Sequence, residues 1–299
     1  MTSQDAITFR ALRTLDFGLH NRINSIAING LLLAVCDAKG LIVVYNIETN
    51  KIIMKVVAPD EVLCLEWMDS YGAPGFTPLI FGTITGQINC IFKNEVCDIV
   101  YTGTNALHYS IQQVSYKPDT NVLAIAGGPT TQVWSLNPSM GSWEKLSVIS
   151  CPVASDEHEI VVTGLFWSPL KEMLLVSYLY HGVWSFIYDE EWNFKVDWSM
   201  RLDICGFMTP SSKRDVILVH DIKNGYSVLS IPSGKLQMSF SHPRLCLTYC
   251  FPALWLDKAE TVIITGGTEG KARLWNASTG RFIQTLLHEG KVLLLSPPL

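Results

Sequence analysis

Charge is scarce in this 299-residue chain: Asp, Glu, Lys and Arg together make up 16% of it, against 48% hydrophobic residues. A chain so poor in charge and so rich in apolar side chains collapses around a core, which excludes disorder for most of its length. Any concentration of Lys and Arg is missing too, since 22 basic residues are scattered among 27 acidic ones for a net charge of -5. Following a phosphate backbone requires a basic stripe, so no nucleic acid is expected as a partner. No apolar run reaches the roughly 18 residues that a membrane span needs. The N-terminus, MTSQDAITFRALRTLDFG, lacks both the basic start and the apolar stretch of a signal peptide. The chain therefore reads as intracellular, cytoplasmic or nuclear, with no membrane association.

Catalytic signatures are also lacking. There is no G-x-S-x-G elbow, no phosphate-binding G-x-x-x-x-G-K-[ST] loop and no H-E-x-x-H; His158-Glu159-Ile160-Val161-Val162 begins like the last but has no second histidine. The run Gly266-Gly267-Thr268-Glu269-Gly270 precedes a strand, so no helix N-terminus would meet an anion there. The acidic cluster Asp156-Glu157-His158-Glu159 reads as a solvated loop, without a companion His or Cys at ligand spacing. His242, Cys246 and Cys250 suggest zinc, yet in an extended segment the two thiols stand roughly 13 Å apart at about 3.3 Å per residue, too far for one tetrahedral ion. The eight cysteines lie mostly inside apolar runs such as LLLAVCD and EVLCLEW, as free thiols of a reducing compartment do. No catalytic residue, cofactor or metal is expected, and the chain reads as a non-enzyme.

What the sequence does contain is a repeat. Short runs rich in Val, Ile, Leu and aromatics alternate with Gly, Asn, Pro and Asp clusters, with no long helical period between them, so the fold class is all-β. A turn recurs at Gly40, Gly86, Gly128-Pro129, Gly182, Gly225 and Gly270, in steps of 46, 43, 53, 43 and 45 residues counted through Pro129. A period of 40 to 50 residues is the mark of a propeller. Each unit reads as four strands, as in SIQQVSY, NVLAIAG, TQVWSL and WEKLSVI. Several first strands end in an aromatic, Trp67, Tyr116 and Trp167, placed to wedge between neighbouring blades. Trp143, Trp192 and Trp198 lie in or beside outermost strands and read as half-buried.

The segment ITGGTEGKARLWNASTGRFIQTL, residues 264–286, resembles the WD-repeat signature, with weaker echoes in AKGLIVVYNIETNKI and TTQVWSLN. The resemblance extends from about residue 20 to 290 and implies a WD-repeat-like β-propeller of seven-blade type. Six blades are clear (23–57, 61–101, 109–149, 160–200, 202–240 and 245–286), and an incomplete seventh would come from 6–17 and 288–299, all in one domain spanning 1–299. It also implies a structural hydrogen-bond relay through His242, Thr265 and Trp275, with Glu269 where the family has Asp.

Propellers of this kind bind through their faces, so the resemblance implies a protein-protein interaction scaffold or adaptor whose partners are other proteins or peptides. The partner face would carry Arg22, Lys39, Asp60, Glu61, His158, Tyr180, His181, Arg244 and Glu269. Arg22, Tyr180 and Arg244 are the first candidates, because Arg and Tyr dominate interface energetics. Two other readings fit the same residues. One is a truncated or degenerate repeat protein without independent function. The other is a propeller-fold metal-dependent hydrolase, for which Glu66 and Asp69 are the inward-facing acids.

Overall fold

In the computed structural model, residues 21–68, 77–93, 99–137, 142–153, 159–168, 171–240, 252–256, 259–266 and 271–287 are described. They form six antiparallel sheets of four strands, each a simple meander. Blade 1 is β1 (Ile23–Asn29), β2 (Leu32–Asp37), β3 (Leu41–Asn46) and β4 (Lys51–Val57), and blade 2 is β5 (Val62–Trp67), β6 (Leu79–Thr83), β7 (Gln87–Lys93) and β8 (Ile99–Asn105). Blade 3 is β9 (Gln113–Lys117), β10 (Val122–Gly127), β11 (Thr130–Asn137) and β12 (Ser142–Ser150), and blade 4 is β13 (Val162–Trp167), β14 (Met173–Tyr178), β15 (Gly182–Tyr188) and β16 (Phe194–Met200). Blade 5 is β17 (Cys205–Pro210), β18 (Val216–Asp221), β19 (Gly225–Ser230) and β20 (Leu236–Phe240), and blade 6 is β21 (Ala253–Leu256), β22 (Val262–Thr265), β23 (Lys271–Asn276) and β24 (Phe282–Leu287). First strands pack on first strands from blade to blade, which puts them at the centre of a ring and the fourth strands at its rim. Among the described residues no helix is long and apolar enough to cross a membrane.

The strand sequences follow from this radial arrangement. Between two neighbouring blades a second strand is buried on both faces, and its sequence is largely apolar: VLAIAG in β10, MLLVSY in β14 and VILVHD in β18. A fourth strand at the rim is open on its outer side, and FKVDWSM in β16 alternates accordingly. Cores form between consecutive sheets, and Trp67, Tyr116 and Trp167 each lie in one of these layers. The repeat is also written in the backbone. A bulge opens the first strand of blades 1, 2, 4 and 5. Another falls between the third and fourth strands of blades 1, 3, 4, 5 and 6. Each bulge adds local twist, which a radially stacked sheet requires.

The turn glycines have a specific task. Gly86 takes a φ of +83°, and a Cβ built on it would lie 2.1 Å from the Leu107 carbonyl oxygen. Its own carbonyl accepts from the N–H groups of Ala106 and Leu107 at 3.0 and 3.1 Å. Turn and inter-blade connection thus approach backbone to backbone, which only glycine permits.

The blade count corrects the expectation from the sequence. Among the described residues there are six four-stranded blades and no seventh, and the segments assigned to an incomplete seventh, 6–17 and 288–299, lie outside the described residues. The expected seventh blade rested on the resemblance and on terminal segments, whereas blades 1 to 5 each carry a recurring turn glycine, Gly40, Gly86, Gly128, Gly182 and Gly225; Gly270 lies outside the described residues. Consecutive blades pack from the first to the sixth, but among the described residues no comparable packing joins blade 6 to blade 1. The face of blade 1 turned away from blade 2 records this. Ile26 is 40% exposed, while its register equivalents Leu65, Leu165 and Met208 are 6%, 0% and 0% exposed. On the face of blade 6 turned away from blade 5, Leu254 of β21 is 51% exposed.

Blades 5 and 6 are tied by a buried carboxylate. Glu260, in the turn between β21 and β22, accepts from the Ser212 N–H at 2.7 Å and the Ser212 hydroxyl at 2.6 Å, and also from the Ser211 hydroxyl. Burial alone would raise its pKa, but the hydrogen bonds from Ser211 and Ser212, with the Arg214 charge, outweigh it and hold the carboxyl below its usual range.

Candidate protein-interaction face

In a meander that runs from the centre to the rim, the turns after second strands and the connections between blades fall at one end of every sheet. The turns after first and third strands fall at the other end. Arg22, Lys39, Asp60, Glu61, Tyr180 and His181 all lie on segments of the first kind, so the topology gathers them on one face. His158, Arg244 and Glu269, placed on the same face by the sequence reading, lie outside the described residues.

Two of the gathered residues meet directly. The Arg22 guanidinium stands 3.1 Å from the Glu61 carboxylate, across the junction of blades 1 and 2, with side chains 42% and 23% exposed. Asn24 completes the group. Its side-chain oxygen accepts from Arg22 Nε at 3.1 Å, and its amide donates to Glu61 at 2.8 Å and to the Val62 carbonyl at 2.9 Å. A guanidinium held by both a carboxylate and an amide keeps a defined orientation, and with 42% of its side chain exposed it remains in contact with solvent.

Next to this group, Asp60 accepts from the Thr85 hydroxyl at 2.8 Å, linking the blade 1–2 connection to the turn between β6 and β7. Lys39 is exposed on the β2–β3 turn, whose shape is set by Asp37 accepting from the N–H groups of Lys39 and Leu41 at 2.9 and 3.0 Å. Tyr180 and His181 are half-buried on the β14–β15 turn, where the His181 carbonyl accepts from the Trp184 indole at 3.0 Å. On blade 5, Lys223 pairs with Asp203 at 3.2 Å on the same face. The result is a mixed-charge, partly preorganised surface.

Of the structural relay, the Trp275 indole donates to the Thr265 hydroxyl at 3.0 Å, both residues being buried between blades 5 and 6. His242 and Glu269 lie outside the described residues. Glu66, one of the two acids considered for a hydrolase, is a half-buried residue of β5 opposite Ile80; Asp69 lies outside the described residues. Among the described residues no three His, Cys, Asp or Glu side chains converge to hold a metal ion. Burial pushes the thiols of Cys36 and Cys90 up to about 12 and that of Cys64 higher still, so none of the three is a nucleophile near neutral pH.

Thr85 is placed on this face by the sequence, whereas Asn24 is not. The only signal for Asn24 is a polar side chain within an apolar strand, and that pattern is common to many surface positions. No protein-family model matches this chain, and no curated protein aligns with it significantly.

Proposed function

We propose that this chain is a WD-repeat-like scaffold that binds other proteins or peptides through the face carrying Arg22, Lys39, Asp60, Glu61, Tyr180 and His181, and that it performs no chemistry of its own. The observation that supports this reading is the clamped Arg22 at a blade junction. A charged fork held across a blade junction and 42% exposed favours recognition of a partner's carboxylate or backbone carbonyls. Arg and Tyr on a preorganised surface lose little entropy when they become binding anchors.

The test is a comparison between variants. The wild-type chain and an Arg22→Ala, Tyr180→Ala double variant are used as bait in quantitative cross-linking capture, after circular dichroism has shown the two to be equally folded. The expected outcome is a defined set of proteins recovered with the wild type and depleted about tenfold or more with the variant, the scale of losing one hot-spot residue. An identical set recovered with both baits would refute this face as the binding surface.

A further inference from the structure

The opposite end of blade 4 carries an aromatic platform that the proposed function does not use. Trp167 ends β13, Tyr188 ends β15, Phe194 begins β16 and Trp192 stands in the turn between these last two strands. Trp167 meets Tyr188 edge-on at 5.5 Å and Trp192 at 6.0 Å, while Tyr188 stacks on Trp192 at 5.0 Å with 11° between their planes. Phe194 lies 5.4 Å from Tyr188. Trp167 is buried, and the other three residues are half-buried.

The turn that presents Trp192 is firmly set. Trp192 adopts a φ of +62°, a left-handed backbone that bulky side chains rarely take. Its N–H donates to the Asp189 carbonyl at 3.0 Å, and the Asp189 carboxylate accepts from the N–H groups of Glu191 and Asn193 at 3.2 and 2.9 Å.

Negative charge surrounds the platform. Burial, followed by the nearby carboxylates of Glu172 and Asp119, pushes the Tyr188 hydroxyl up to about 12. Glu172 comes from the β13–β14 turn and Asp119 from the β9–β10 turn of the neighbouring blade, so two blades contribute. Glu190 and Glu191 are exposed on the Trp192 turn itself. The cations on the same turns and strands are fewer. Lys117 is engaged by Asp119 at 3.4 Å, and Lys171 and Lys195 are exposed. Acid is thus in excess around a flat, partly open π surface.

We infer that this end of blade 4 binds an arginine-bearing segment of a partner protein, its guanidinium lying against the Tyr188 and Trp192 rings and within reach of the Glu172 and Asp119 carboxylates. A guanidinium is planar, weakly hydrated and always charged, so it stacks on an aromatic face and keeps its in-plane donors for carboxylates. An ammonium is a compact, strongly hydrated charge that suits an enclosing cage better than a platform. The inference rests on the scaffold reading but engages the face opposite Arg22, so the two can fail separately.

The test uses the full chain and three fluorescein-labelled peptides with a Gly-Ser spacer, carrying three arginines, three lysines or three citrullines, read by fluorescence anisotropy. Citrulline keeps the planar shape and removes the charge. The arginine peptide is expected to bind most tightly and to weaken about fivefold or more with Trp192→Leu, the scale of a lost cation–π contact. A comparable loss is expected with the paired turn variant Asp119→Asn, Glu172→Gln, and no change with Arg22→Ala. Should Trp192→Leu not fold, the paired turn variant decides alone. Undetectable binding of the arginine peptide at millimolar protein would overturn the inference. So would equal binding of all three peptides, or an affinity unchanged by the folded variants.

Discussion

Stacking of blade on blade makes a quantitative claim that can be tested at two equivalent positions. Leu165 and Ile26 occupy the same register in the first strands of blades 4 and 1, one residue past the same bulge. Leu165 is fully buried in the layer containing Ala124, Ile160 and Val176, whereas Ile26, on the face of blade 1 turned away from blade 2, is 40% exposed. Threonine preserves strand preference, so changing each residue to Thr isolates burial. At Leu165 the loss of about two buried carbons costs about 1.5 kcal/mol, and a hydroxyl left without a partner adds about 1–3 kcal/mol. With the residual cavity, about 3–5 kcal/mol is expected. At Ile26 the new hydroxyl can reach water and part of the side chain was already solvated, so the expected cost is about 1 kcal/mol or less. Urea unfolding followed by both tryptophan fluorescence and far-UV circular dichroism measures the two midpoints. Leu165→Thr should shift its midpoint at least about threefold further than Ile26→Thr, at an unchanged slope. Equal shifts would refute the reasoning, because blade 1 would then be packed on its free face as tightly as blade 4 is on its own.

Three further outcomes follow from named contacts. The carboxyl of Glu260 titrates below its usual range in the fold, so the stability it contributes is present in full above the unfolded value near pH 4.3 and is lost as pH falls through the lower folded value. Glu260→Gln should cost about 1.5–3 kcal/mol at pH 7, the scale of hydrogen bonds to a charged group, and the gap to the wild type should close in acid; urea midpoints at pH 7 and pH 3.5 check both parts. Thr265→Val should strand the buried Trp275 indole N–H and destabilise by about 1–3 kcal/mol, while Thr265→Ser should cost less than about 1 kcal/mol, as thermal melts would show. Cys36, Cys64 and Cys90 should resist a thiol reagent at pH 8 in the native chain and react at once in urea; rapid native labelling, located by mass spectrometry, would show the blade 1–2 and 2–3 layers to be open.

The six blades are legible in the sequence because their physics is local. A second strand buried on both faces must be largely apolar, and MLLVSY and VILVHD each open with four apolar residues in a row. The turn after it must accept a positive φ beside an approaching carbonyl, and glycines recur there. The seventh blade expected from the family resemblance had no such turn behind it. The candidate face is half legible: Arg22 and Glu61 can each be placed on it by topology. Their contact spans 39 positions and runs through Asn24, which no motif singles out. Trp192 can be read as a half-buried aromatic near an outer strand, but its left-handed backbone and its stacking on Tyr188 have no signature in WNFKVDW.

By itself the sequence determined the strands, the turns and their sixfold recurrence. Alternation and backbone conformation act over a few residues, and each unit carries its own instructions for them. Only the tertiary structure decided which side chains meet between blades, as Glu260 meets Ser211 across 49 positions and Trp167 the Ser115 carbonyl across 52. It also decided which face of blade 1 lacks a described neighbour. Such contacts depend on how separate sheets are set against one another, a relation between distant segments that no local pattern encodes.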